Sequence, residues 1–235
     1  MKILLPVVAV ALVLGWLVYH PPNGNTIWRV NGVEGKVALT FDDGPNGDYT
    51  IEILSILEEH DARATFFMVG DRVKEDPATV LAVSEAGHEI ANHSRNNDSL
   101  VFKSRKEILR IIDETDEALS AATQGGYENS RYFRAPMGMQ FLTVAGALKE
   151  SGRIHVSANA IGRDWTPKSQ KDPDRIAQRI LRNIKAGDII NLHDGHADIL
   201  GEDRSGTVAA LQIVLRGLAD RGLKAVTVSE LLDSY

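Results

Sequence analysis

The stretch KVALTFDDGP, Lys36 to Pro45, decides how the chain is read. Val37 to Phe41 form an apolar run of strand length, closed by two carboxylates and a Gly-Pro turn. Similar runs recur at Ala64 to Val69, Glu89 to Asn92, Arg131 to Arg134, Ile154 to Ala158, Ile189 to Leu192 and Leu223 to Val228. Most of the gaps between them carry a helical pattern. Ser104 and Glu107 make a capping box ahead of a helix that turns Ile108, Ile111, Ile112, Thr115 and Leu119 inward. Asp172 caps another, with Pro173 at its first position and Gly187 expected just past its end. Val208, Leu211, Val214, Leu215 and Leu218 mark the last long helix. Seven β/α units without repeats predict an α/β fold with a mainly parallel sheet, closed or nearly closed into a barrel. An open doubly wound sheet is the alternative.

With 235 residues and 43% hydrophobic content the chain can bury one large core, and one domain is the simplest reading. The net charge of -6 lacks the clustered Lys and Arg that hold phosphate backbones, which excludes a nucleic-acid partner. Without cysteine there is neither a disulfide frame nor a thiolate metal knot. The N-terminus places Lys2 ahead of an uncharged apolar run from Ile3 to Tyr19, the pattern of an export signal. Trp16 and Tyr19 sit where an interfacial belt would lie, and no A-x-A box follows. The expected organisation is a signal anchor or signal peptide over 1–20, a linker over 21–34 and a folded domain over 35–235. The protein would then be exported, held at the outer face of the cytoplasmic membrane or secreted if the segment is cleaved.

Polar residues gather at the ends of the strands. Asp42 and Asp43 end the first, His93 the third, Arg134 the fourth, and His193 and Asp194 the sixth. Each alone has a plain explanation: an acidic pair before Gly44-Pro45 suits a turn, and a single histidine is usually a surface or satisfied core residue. Together they fall on the carboxyl-end rim of a parallel sheet, where loops converge and sites form.

The ordered motifs TFDDGP (Thr40 to Pro45), GHEIANHS (Gly87 to Ser94), YFRAPMG (Tyr132 to Gly138), RDW (Arg163 to Trp165) and INLHDGH (Ile190 to His196) resemble the NodB-homology domain of polysaccharide deacetylases, carbohydrate esterase family four. The similarity runs from about Gly35 to the C-terminus. It implies an irregular (β/α) barrel of about seven strands, here preceded by an N-terminal hydrophobic helix. It also implies hydrolysis of an N-acetyl amide. That chemistry needs an activated water, stabilisation of oxyanion charge and a proton for the departing amine. By resemblance the catalytic set is Asp42 as base, His193 as acid, Arg134 beside the base and Asp164 beside the acid, its carboxylate holding His193 protonated. The metal ligands would be Asp43, His93 and Asn97, for a divalent cation such as zinc. Trp165 and Leu192 would line the acetyl and sugar surface, and the backbone N–H near Met137 would face the oxyanion.

Three positions depart from that pattern. Met137 stands where tyrosine is frequent, and Ile161 where an aspartate often precedes the Asp-Trp pair. Asn97 replaces the second metal histidine, and an amide oxygen is a weaker donor to zinc than imidazole and suits harder cations better. His196 and Asp198 read as surface loop residues and His88 as structural. Retention of the remaining motif residues favours an exported deacetylase acting on an N-acetylated polysaccharide such as peptidoglycan or an N-acetylglucosamine polymer. Asn97 favours a catalytically weak or silent glycan-binding pseudoenzyme, and a small-amide amidohydrolase is the third class.

Overall fold

The computed structural model describes residues 25–128 and 130–235. The N-terminal apolar run lies outside them. Among the described residues no helix is long and apolar enough to cross a membrane. The strands are β1 (Thr26–Ile27), β2 (Lys36–Asp42), β3 (Thr65–Met68), β4 (Glu89–Asn92), β5 (Tyr132–Phe133), β6 (Ile154–Val156), β7 (Ala160–Ile161), β8 (Ile189–His193) and β9 (Lys224–Val226). The helices are α1 (Asp48–Glu59), α2 (Gly70–Glu75), α3 (Pro77–Glu85), α4 (Arg105–Ala122), α5 (Leu142–Glu150), α6 (Pro173–Leu181), α7 (Ser205–Ala219) and α8 (Val228–Leu232). Every strand pairing is parallel, in the order β1-β6-β5-β4-β3-β2-β8-β7, with β9 added beside β2. The sheet curls into a half-barrel. All seven expected strands are present; β1 and β7, two residues each, are too short to leave a periodic signal.

Strand alternation divides the side chains into two layers. Val37, Leu39 and Phe41 of β2, Phe66 and Met68 of β3, and Ile190 and Leu192 of β8 face outward into the helix layer. There Phe41 stacks on Phe66 with ring centroids 5.1 Å apart. Ile176 and Ile180 of α6 and Val208, Leu211 and Leu215 of α7 complete this layer, and full burial of each such side chain is worth about 1.5–3 kcal/mol. The inward face is apolar at one end, with Ala38 and Ile189 packed against Phe67 and Val226. It turns polar toward the carboxyl ends, where Thr40 and Asn191 are paired in register and so are Asp42 and His193.

Three expectations change. The linker does not extend to residue 34, because Thr26–Ile27 pair with His155–Val156 and the Val30 and Val33 side chains are buried with Ile189 and Leu231. Ser104 caps α4 through the Glu107 N–H, but the Glu107 carboxylate turns to Lys103 Nζ at 3.3 Å instead of closing the box. Gly187 does not stop α6, which ends at Leu181. It lies where the chain enters β8, at φ 85, and a Cβ there would fall 1.8 Å from the Val30 carbonyl oxygen. The Gly187 carbonyl accepts from the Val30 N–H at 2.8 Å, so neither backbone can withdraw.

Gly187→Ala is therefore expected to lower Tm. The left-handed conformation alone costs about 1–2 kcal/mol for an L-residue, equivalent to roughly 2–8 °C in a domain of this size, and the backbone clash adds to it. Thermal unfolding at wild-type temperature would show that the first described residues can detach from Gly187 without cost.

Candidate active site

A cleft of about 470 Å³ opens at the carboxyl ends of the strands, and Asp42, Asp43, His93, Asn97, Arg134, Met137, Trp165, Asn191, His193 and His196 all line it. Those residues, from five separate segments, meet there because parallel pairing brings the strand ends level: Asp42 is in register with His193, and Met68 with Asn92. The Asp-Gly turns interlock as well. A Cβ on Gly195 would lie 2.4 Å from the Asp43 carbonyl oxygen, so the His193 loop passes directly over the Asp43 loop.

Asp42 and Arg134 are both buried and form an ion pair, NH1 to Oδ1 2.5 Å. The guanidinium is fixed on every side. It lies 4.1 Å above the Phe67 ring, its Nε donates to the Val156 carbonyl at 2.9 Å, and NH1 also donates to Thr40 Oγ1 at 2.8 Å. The second oxygen of Asp42 accepts from Asn191 Nδ2 at 2.8 Å. Asp42 thus has one orientation, with its carboxylate at the cleft floor.

On the neighbouring strand, His193 Nδ1 meets Asp164 Oδ1 at 2.8 Å and leaves Nε2 for the cleft. Burial alone would lower the His193 pKa, but the Asp164 carboxylate outweighs it and raises the pKa to about 9. Asp164 is fully buried; its Oδ2 accepts from the His193 N–H and from Thr207 Oγ1, each at 2.8 Å. Its own burial would raise its pKa, and His193 more than offsets this, leaving the carboxyl below the usual range. Trp165 stands edge-on to the His193 ring at 5.4 Å and forms the adjoining wall.

Asp43 and His93 face each other, Oδ1 to Nε2 3.4 Å. His93 Nδ1 donates to the Arg134 carbonyl at 2.8 Å, so that nitrogen carries a proton, and Nε2, when unprotonated, turns its lone pair toward Asp43. Asp43 Oδ1 is buried and has no hydrogen-bond partner. Two lone pairs opposed in this way want a proton or a cation between them. Burial pulls the His93 pKa down, yet the Asp42 and Asp43 carboxylates leave it raised. Two ligand bonds of about 2.0–2.1 Å at a tetrahedral centre separate their donor atoms by roughly 3.3 Å, so this pair fits a divalent ion. The third donor does not match as well. Among the described residues no group of three His, Cys, Asp or Glu side chains surrounds one point, and Asn97, which lines the same cleft, offers an amide.

The site differs from expectation at three places. Leu192 does not line the cleft: it is fully buried in the outer layer, because strand alternation turns it away when it turns His193 in. Asn191 takes the inward position, a residue that counting by two from His193 would have found. His196, expected on the surface, is half-buried and lines the cleft near Asp43, while Asp198 is exposed. Met137, half-exposed and at φ 57, and Ile161, also partly exposed, both line the cleft. Sequence reasoning also missed Asp194 as a buried support. It accepts from Thr50 Oγ1 at 2.7 Å, and burial raises its pKa to about 7. His88 is structural as expected: its Nδ1 accepts from the Ala64 N–H, and burial lowers its pKa to about 4.

The polysaccharide deacetylase family model matches residues 29–153. The chain is 36% identical over 219 residues to a peptidoglycan-N-acetylglucosamine deacetylase of Bacillus cereus, covering 90% of this chain and 94% of the relative. A chitooligosaccharide deacetylase of Sinorhizobium fredii is 35% identical over 192 residues, covering 80% and 87%. Among solved structures, a carbohydrate esterase family 4 pseudoenzyme from Bacillus anthracis superimposes with a TM-score of 0.78 at 28% identity, covering 89% of this chain and 69% of that one. A mutant of that protein with restored enzymatic activity gives the same TM-score at 30% identity, covering 89% and 71%.

Proposed function

The chain belongs to the polysaccharide deacetylase family, and from that premise we propose that it removes N-acetyl groups from an N-acetylated glycan, with a divalent cation held by Asp43, His93 and Asn97. The observation that carries this reading is the convergence of two paired groups on one cleft: Asp42 held by Arg134, and His193 held by Asp164. When bound, a cation at Asp43 and His93 acidifies water and polarises the carbonyl. Asp42 takes a proton from the attacking water, and Arg134 and Asn191 keep its carboxylate aimed at the cleft. His193 Nε2 gives a proton to the amide nitrogen as the C–N bond breaks, so that the sugar amine leaves neutral or protonated and acetate remains. Peptidoglycan and N-acetylglucosamine polymers are the substrate classes that the relatives support. Export is supported by the apolar run Ile3 to Tyr19, which would put the domain at the outer face of the cytoplasmic membrane.

Acetate release from N-acetylglucosamine oligomers and from peptidoglycan, measured with added zinc, with added manganese and with chelator, tests the reading. Release that chelator abolishes is expected; release that chelator leaves intact contradicts the cation's role. Asn97 favours a second reading, a glycan-binding domain with no turnover, in which the same oligomers bind and no acetate appears with either metal.

The His193 pKa sets the pH dependence. A folded-state pKa of about 9, above the ordinary ~6.5, keeps the acid protonated through neutral pH, and turnover is lost as pH rises through that value. The stability contributed by the His193–Asp164 pair follows the same sign, complete below the ordinary value and lost as pH rises through about 9. Asp164→Asn removes the charge and should move the alkaline limb of kcat toward lower pH. An unmoved limb would mean that some group other than His193 is the acid.

A further inference from the structure

We infer that Asn191 reads the acyl group of the substrate, and that its free amide oxygen favours an N-hydroxyacetyl group over N-acetyl. The inference rests on the deacylase reading above and specifies its acyl class. Asn191, paired in register with Thr40 one step below Asp42 and His193, lines the cleft at the level beneath the base and the acid. The orientation of the Asn191 amide is fixed by its neighbour. An ionised carboxylate accepts only, so the nitrogen must point at Asp42 Oδ2, 2.8 Å away. That leaves Oδ1 for the cleft. It accepts from no described residue, and it is not among the buried atoms that lack a partner, so it is open to whatever fills the floor. Thr40 offers nothing comparable, because its hydroxyl donates to the Ile190 carbonyl and accepts from Arg134.

A polymer-borne amide has one free end, the acyl group, and the sugar chain must run across the open mouth of the cleft. The acyl end therefore goes to the floor. An acetyl methyl placed against Asn191 Oδ1 would strip that oxygen of water and return no hydrogen bond, whereas the hydroxyl of a hydroxyacetyl group donates to it. Ala135 and Ala158, also on the cleft, are small enough to leave room for the added oxygen. The reaction is the same hydrolysis. Water oxygen joins the carbonyl carbon, the C–N bond breaks, one proton passes to nitrogen, and the products are hydroxyacetate and the free amino sugar.

The test uses the full chain and two glucosamine tetramers that differ only in carrying N-acetyl or N-hydroxyacetyl groups. Wild type should show the higher kcat/KM for the hydroxyacetyl tetramer, and Asn191→Leu should shrink that ratio roughly 5–10-fold, the worth of one hydrogen bond to a site built to receive it. Loss of the Asn191 contact to Asp42 slows both substrates alike and cancels in the ratio. Asn191→Val repeats the comparison if the leucine variant does not fold. A ratio equal in wild type and variant, with both rates reduced, overturns the proposal and leaves Asn191 as a support for Asp42, while the deacylase reading survives. If neither tetramer is hydrolysed, the deacylase reading fails, and equilibrium binding of the two tetramers gives the same ratio: equal affinities would then overturn the role of Asn191 as well.

Discussion

Asp42→Asn should reduce turnover by roughly 100- to 10,000-fold, the usual contribution of a positioned general base, and leave the metal content of the protein unchanged. The substitution keeps the shape of the side chain, and its amide oxygen still accepts from Arg134 NH1, which in the native protein lies 2.5 Å from Asp42 Oδ1. The Asn191 amide can flip to meet the new nitrogen. The fold should therefore hold, whereas Asp42→Ala would strand a buried guanidinium, at a cost of about 3–5 kcal/mol. Asp43 and His93 are untouched, so zinc measured on the purified variant by elemental analysis should match wild type. Acetate release at the wild-type rate would remove Asp42 from the mechanism. Loss of metal along with activity would instead make Asp42 a ligand.

Asn97→His should tighten zinc binding by at least roughly 10–100-fold, since changes one shell further out already shift affinity that much. Asn97 lines the same cleft as Asp43 and His93. Its loop leaves β4 by a fixed turn: Ser94 takes φ 69, and its N–H donates to Asn92 Oδ1 at 2.8 Å. An imidazole at position 97 would give zinc the third nitrogen or carboxylate donor that structural and hydrolytic zinc sites use. Titration with zinc and with manganese separates the outcomes. A gain for zinc larger than that for manganese, with more acetate released, indicates an enzyme held back by one ligand. Tighter zinc without turnover indicates a cleft already given over to binding. Equal affinities in wild type and variant would mean that position 97 does not reach the ion.

The sequence by itself determined the parallel α/β architecture, because seven apolar runs of strand length alternate with helical patterns and each run had to be covered. It also determined which strand ends line the cleft, since a side chain just past a parallel strand can lie only on the carboxyl-end rim. The direction of each side chain was legible in principle. Counting by two from His193 puts Asn191 inside and Leu192 outside, and the structure bears out that count. What the sequence left undetermined are contacts between segments far apart in the chain. Thr207 on Asp164, Asp194 beneath the Asp43 loop, Val30 against Gly187 and His196 on the cleft wall depend on loop paths, which no local pattern encodes. The facing of Asp43 Oδ1 and His93 Nε2 at 3.4 Å is of the same kind. Each residue is ordinary by itself, and only the curl of the sheet, by packing β2, β3 and β4 side by side, sets the two lone pairs opposite one another.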